Sequence, residues 1–157
     1  TLSSSSAASD VYKRQQIASK IIVTGKIVSI DLKDMEKLEK VVFKKLDFLE
    51  KDTPKKLFAE FGSKIDVIMS DMASNTTGNK NLDCIRTNIL CSEVINFAQN
   101  ILKPKGVVVA KLFIGEDFLE VKELAKNKFK KVDFFKPNSS RGESKETYIH
   151  CDTLKTL

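Results

Sequence analysis

The sequence predicts an α/β domain built on a mostly parallel β-sheet whose last strand runs antiparallel. Three observations carry that prediction. Short apolar runs alternate with amphipathic helical stretches along the chain, the pattern of strand–helix–strand units. The last two runs are joined by residues 138–145, fewer than the dozen or so that a crossover between parallel strands needs. Asp31, Asp47 and Asp71 each close an apolar run, and the carboxyl edge of such a sheet is where α/β proteins place their chemistry.

Taken in order, residues 1–14, TLSSSSAASDVYKR, stand apart. They are rich in Ser and Ala, show no periodicity and offer nothing to a core, so they read as a disordered segment outside a domain spanning 15–157. Lys26–Leu32 is a short strand ending on Asp31, and Val41–Phe48 is a second ending on Asp47. Lys51–Phe61 reads as a helix, with Pro54 early and Leu57, Phe58 and Phe61 on one face. Ile65–Asp71 is the third strand. Asp83–Leu102 is a long amphipathic helix in which Ile85, Ile89, Leu90, Val94, Phe97, Ala98 and Ile101 keep the helical period. Pro104 and Gly106 should stop it. Gly106–Phe113 is the most apolar strand and carries one charge, Lys111. Asp117–Phe129 is a further helix, and Lys131–Pro137 and Glu146–Cys151 are the last strands.

The bulk properties narrow the classes. A chain of 157 residues, 41% hydrophobic and 31% charged, suits one soluble globular domain. No apolar run approaches the roughly 20 residues that span a bilayer, and the opening has neither the cationic start nor the apolar core of a signal peptide. Cys84, Cys91 and Cys151 have no metal-ligand spacing and form no even disulfide set. They read as reduced, buried hydrophobes, which points to the cytoplasm or, alternatively, the mitochondrial matrix, with no metal expected. A net charge of +6 favours a polyanionic partner such as nucleic acid. The single histidine, His150, lies in a strand and reads as structural.

Antiparallel entry brings Glu146 to the same rim as Asp31, Asp47, Asp71 and the end of the Lys111 strand. Taken singly, each carboxylate is an ordinary solvated cap. Lys111 is different, because a lysine within VVVAKLF is costly to bury unless paired. Asp71 and Glu146 on flanking strands are its expected partners.

The segments SDMASN, LDCIRTNIL, LKPKGVVVAKLFIGEDF and KPNSSRGESKETYI resemble the FtsJ/RrmJ-type ribosomal RNA methyltransferases across about Gln16–Cys151. The resemblance implies a Rossmann-like sheet and transfer of a methyl group from S-adenosylmethionine to a ribose 2′-hydroxyl, on a uridine, of large-subunit rRNA by a monomer. Three members of the family's Lys-Asp-Lys-Glu tetrad map onto Asp71, Lys111 and Glu146. It implies that Lys111 meets the ribose hydroxyl and takes its proton. Burial favours the neutral base while the carboxylates favour the ammonium, so an orienting role stays open. Family cofactor contacts map onto Asp31 for the adenosine ribose, Asp47 for the adenine end and Asp71 near the methionine amino group. Ser139, Ser140 and Arg141, after Pro137, belong to a loop expected to border the RNA. Arg86, Lys33, Lys80 and Lys145 are softer candidates.

One departure is specific. The family's first tetrad lysine, its first strand and a GAAPGGW-type turn precede the segment resembling QQIASK, and here TLSSSSAASDVYKR stands in that place. The turn's glycines let the backbone approach the cofactor. The expected sheet therefore lacks its central first strand. Three readings follow: a fragment with an artefactual opening, which is favoured; direct pairing of the strands ending at Asp31 and Asp71; or a degenerate relative. The functional alternatives are a non-catalytic RNA-binding module, an inactive fragment, and a 2′-O-methyltransferase acting on tRNA or an mRNA cap.

Overall fold

The computed structural model describes residues 4–137 and 144–155, with side chains from residue 12 onward. The chain divides into two compact units, Thr1–Ser63 and Lys64–Leu157, where the sequence pattern suggests one continuous domain from residue 15.

The first unit contains helix α1 (Ser4–Ile21), strands β1 (Ile27–Asp31) and β2 (Val41–Lys45), and helix α2 (Thr53–Phe61). Where the sequence suggests a disordered or artefactual segment up to residue 14, α1 is helical from Ser4 and runs through that boundary. Ala and Ser are tolerated in a helix, and the absence of an apolar stripe does not prevent one. The nearly buried Gln15 ties α1 to β1 through a bond to the Ser29 hydroxyl. β1 and β2 pair in parallel from Ile27↔Val41 to Asp31↔Lys45. β2 ends at Lys45, ahead of the expected Phe48, with Asp47 two residues beyond the strand. α2 has Pro54 in its first turn and ends at Gly62, whose φ of 68° is the left-handed conformation a C-cap favours. Glu60 on α2 pairs with Lys26 at 2.6 Å and Lys44 at 2.9 Å. Those two ammonium groups, Lys26 first, hold its carboxyl below the usual range.

The second unit contains β3 (Ile65–Ser70), α3 (Lys80–Ile101), β4 (Leu102–Phe113), α4 (Phe118–Lys128), β5 (Phe129–Phe135) and β6 (Glu146–Leu154). Its sheet has the order β3-β4-β6-β5. β3 and β4 are parallel, and β6 runs antiparallel to both of its neighbours, as the short connection requires. The strands ending at Asp31 and Asp71 lie in different sheets, so the alternative of their direct pairing is set aside.

One face of this sheet forms the core. Val108, Ala110, Leu112, Ile149 and Cys151 are fully buried on it, with Val94, Ile95, Ala98 and Ile101 of α3 and Val121 and Ala125 of α4. The α3 face differs from the expected one: Ile85 and Ile89 are exposed, and Cys84, Thr87, Asn88 and Cys91 are buried in their place. The helix is apolar on more than one side, so periodicity alone does not select the face that packs. Burial pushes the Cys91 and Cys151 thiols up to about 12, as expected of inert core cysteines.

α3 ends at Ile101, ahead of the Lys103–Gly106 stop as expected, but the next strand does not wait for Gly106. β4 begins at Leu102, and the register jumps from Ile65↔Leu102 to Val67↔Val107. Pro104 and Gly106 therefore sit in a bulge within the strand, a position that suits both residues. Lys103 closes the bulge on Asp66 of β3 with bonds of 2.8 and 2.9 Å.

Candidate catalytic rim

β4 alternates along its length, so Lys111 and Phe113 lie on the sheet face opposite the buried Ala110 and Leu112. The antiparallel register places Tyr148 of β6 directly across from Lys111 and Glu146 across from Phe113. Glu146 is thus the diagonal neighbour of Lys111, within reach of a long side chain. The pair forms, with Lys111 Nζ 3.4 Å from Glu146 Oε2. The side chains are 16% and 28% exposed, which answers the expectation that this lysine requires a partner.

Asp71 follows the last residue of β3, and Ser70 of that strand pairs with Ala110. Continuing the register by one residue sets Asp71 beside Lys111 on the adjoining strand, at the same edge. The loop after Asp71 is fastened to the start of α3. Asn79 caps the helix by accepting from the amides of Asn81 and Leu82. Thr77 donates through its amide and hydroxyl to Asp83 Oδ1, at 2.9 and 2.7 Å. Ser74 receives the same kind of support, its amide donating to Thr87 Oγ1 and its hydroxyl to the Asp83 carbonyl. The Thr77 bonds hold the Asp83 carboxyl below its usual range. The polar run after β3 is therefore a built connection, which explains why an apolar strand opens into SNTTGN.

Two residues with positions at this rim were not singled out in the sequence. Tyr148 faces Lys111 and stacks on Phe135 with centroids 5.6 Å apart and an interplanar angle of 17°. The E-x-Y spacing carried that signal, since residues two apart on a strand share a face. Asn88, fully buried on α3, donates to the Phe113 carbonyl at 2.9 Å and to Asp117 Oδ1 at 2.8 Å. Its own carbonyl accepts from the Phe113 amide at 2.8 Å. It fastens the end of the strand that carries Lys111.

In the first unit, Asp31 closes β1, and its Oδ1 accepts from the Lys33 amide at 2.8 Å. Asp47 repeats that turn with the Leu49 amide at 2.9 Å, and its carbonyl accepts from the buried Thr53 hydroxyl. Both carboxylates therefore stand at the carboxyl edge of the parallel β1–β2 pair, each with one oxygen used by its own turn. Acceptors so placed suit the hydroxyl and amino groups of a nucleoside. No described glycine forms a strand-to-helix cradle. The positive-φ glycines are Gly25, Gly62 and Gly78, in a loop, at a helix end and before α3. Ser139, Ser140 and Arg141 lie outside the described residues. His150 sits on β6 opposite Val109 and Asp133. Among the described residues no group of three His, Cys, Asp or Glu could hold a metal ion, and no helix is long and apolar enough to cross a membrane.

Comparison with known proteins agrees with this geometry. The family model of FtsJ-like methyltransferases matches residues 11–154. A protein named ribosomal RNA large subunit methyltransferase E from Pelagibacter ubique is 46% identical over 140 residues, covering 89% of this chain and 69% of the relative. The protein of the same name from Rickettsia akari is 44% identical, covering 85% and 62%. The chain thus spans about two thirds of the length of these relatives. In structure it is similar to a ribosomal RNA methyltransferase from Plasmodium falciparum, with a TM-score of 0.77 at 24% identity over 91% of this chain and 80% of that one. At that identity the likeness speaks for the fold alone.

Proposed function

The chain belongs to the FtsJ-like methyltransferase family, and on that premise we propose that it is the larger part of an S-adenosylmethionine-dependent enzyme methylating a ribose 2′-hydroxyl, on a uridine, in large-subunit ribosomal RNA. Its α/β fold carries the mixed sheet of that family. The observation that supports the activity best is the Lys111–Glu146 pair at the end of β4, with Asp71 closing the strand alongside.

S-adenosylmethionine, when bound, supplies an electrophilic methyl group. In the first unit, Asp31 and Asp47 present acceptors of the kind its adenosine hydroxyl and amino groups need; in the second, Asp71 is an acceptor of the kind its methionine amino group needs. The remaining work belongs to the rim. In its neutral form, Lys111 Nζ would meet the 2′-oxygen and accept its proton as that oxygen becomes nucleophilic. Glu146 holds the resulting ammonium, and Tyr148, across the ladder from Lys111, borders the ribose. Enclosure on a rigid sheet fixes the lysine in the attack geometry. Ser139, Ser140 and Arg141 would contact the sugar and phosphates of the RNA.

A chimera tests this reading. The segment that precedes the matched region in the Pelagibacter relative is joined to residues 15–157 of this chain, and methyl transfer to large-subunit RNA is measured. The chimera is expected to be active, and Lys111→Ala within it to lower transfer at least about 100-fold while RNA affinity stays nearly unchanged. A folded, RNA-binding chimera without activity would favour the second reading of a non-catalytic RNA-binding module, and an unaffected Lys111→Ala variant would overturn the role given to Lys111.

A further inference from the structure

A cleft of about 580 Å³ opens just beyond the catalytic rim, lined by Asn81, Ile114, Gly115, Glu116, Ser144 and Lys145. Its volume falls in the roughly 300–1,000 Å³ range of small-molecule sites. None of its lining residues has a part in the chemistry assigned above. We propose that it holds an unpaired nucleotide of the RNA, next to the one presented to Lys111, an inference that rests on the RNA-methylating reading and names where the substrate continues.

Position is the first argument. Phe113↔Glu146 is the last pair of the β4–β6 ladder, and the Ile114 amide donates to the Lys145 carbonyl at 2.9 Å immediately past it. The cleft therefore begins one residue from Glu146. At ~3.3 Å of rise per residue, Ile114 lies about 10 Å beyond Lys111 along the strand. That is too far for the target ribose and within reach of its neighbour.

Composition is the second argument. Ile114 is 52% exposed among polar neighbours, an apolar surface on which the face of a base can rest. Asn81 offers a donor and an acceptor, and Glu116 offers an acceptor for an exocyclic amino group, the contacts by which side chains read base edges. Lys145, bonded to Ile114 through its backbone, and Ser144 suit the sugar–phosphate side. The Glu116 carboxylate counts against a free inorganic anion. A nucleotide uses all three kinds of surface at once.

The test needs no methyl transfer, so the 157-residue chain itself serves. A fluorescent 12-nucleotide single-stranded RNA carrying 4-thiouridine is titrated by anisotropy, then photo-crosslinked and mapped by mass spectrometry. Crosslinks are expected in the peptide containing Ile114–Glu116, and Ile114→Ala should weaken binding about tenfold. Lys145→Ala should reduce the slope of log affinity against log salt by about one. If the chain binds the RNA but crosslinks elsewhere, the cleft proposal falls and the methyltransferase reading stands. If it crosslinks there but Ile114→Ala and Asn81→Ala bind as tightly as the parent, the cleft is a neighbour of the RNA and not a site, and the proposal also falls. If the chain binds no RNA even at low salt, both readings fail together. Ile114 and Asn81 are exposed, and the crosslink map decides the matter even for a variant that folds poorly.

Discussion

Asn88 shows how much one buried amide contributes. It satisfies both the amide and the carbonyl of Phe113 and reaches Asp117. Asn88→Ala leaves those buried backbone groups without partners, at a cost of about 1–3 kcal/mol for each. The expected loss is therefore about 2–6 kcal/mol by urea denaturation, and a loss below about 1 kcal/mol would show that water replaces the side chain. Asp83 gives a prediction in pH. Its carboxyl is held below the usual range by the Thr77 hydroxyl and amide, so its folded value lies under its unfolded one. The contribution to stability is complete above the ordinary aspartate value of about 3.9. It is lost as pH falls through the lower folded value. A carbon-13 titration of Asp83 should show a midpoint under ~3.9, moving up in Thr77→Val. Lys111 and Glu146 were legible in the sequence because a charge inside VVVAKLF demands a partner. Asn88 was not, although a polar residue within the span of an apolar helix was its visible trace. Its meaning depends on which side of α3 packs, and the competing Ile85 and Ile89 obscured that.

At the scale of elements, periodicity located the strands and most of the helices within a few residues, because burial on one face imposes it. It failed where backbone geometry overrides composition. Pro104 and Gly106 follow the end of α3 as terminators should, yet they lie inside the next strand, in a bulge, where that strand was expected to start only at Gly106. A Cβ built at Gly106 would collide with the Leu102 side chain and come within 3.0 Å of the Asp66 carbonyl oxygen. Leu102 is fully buried and the carbonyl is backbone, so neither yields easily. Gly106→Ala should cost about 1–3 kcal/mol, read as a lowered denaturant midpoint with unchanged slope. A neutral result would mean that the bulge relaxes freely. α3 begins at Lys80, ahead of the expected Asp83, because Asn79 caps it. That signal was present in the sequence as an Asn before a helical run, but Thr77, Gly78 and Asn79 equally suit a turn.

For the whole molecule, the alternating pattern conveyed the fold class and the antiparallel final strand. It did not convey the partition into Thr1–Ser63 and Lys64–Leu157, since sequence patterns mark faces and not the contacts between elements far apart in the chain. Asp31 and Asp47, proposed as nucleoside acceptors, belong to the first unit, while Asp71, Lys111 and Glu146 belong to the second. With two turn-bound carboxylates and no glycine cradle among the described residues, the 157-residue polypeptide is expected to give no saturable heat with micromolar S-adenosylmethionine in calorimetry. A micromolar dissociation constant would show that the backbone approach supplied by the family's glycine turn is dispensable.

The placement of β6 between β4 and β5 has a bearing on how the protein comes into being. β4 and β5 are made before β6, and the edges they turn toward each other have no strand partner until the last strand of the sheet slots between them. Lys111 can meet Glu146 only at that moment. A chain emerging from the ribosome therefore remains without the Lys111–Glu146 ion pair until synthesis has passed residue 154, and during that interval the facing edges of β4 and β5 lack their strand partner. Long-range strand pairing of this kind is slow and exposes the intermediate to aggregation. Biogenesis, more than the stability of the finished sheet, is the step at which damage to β6 will first be felt.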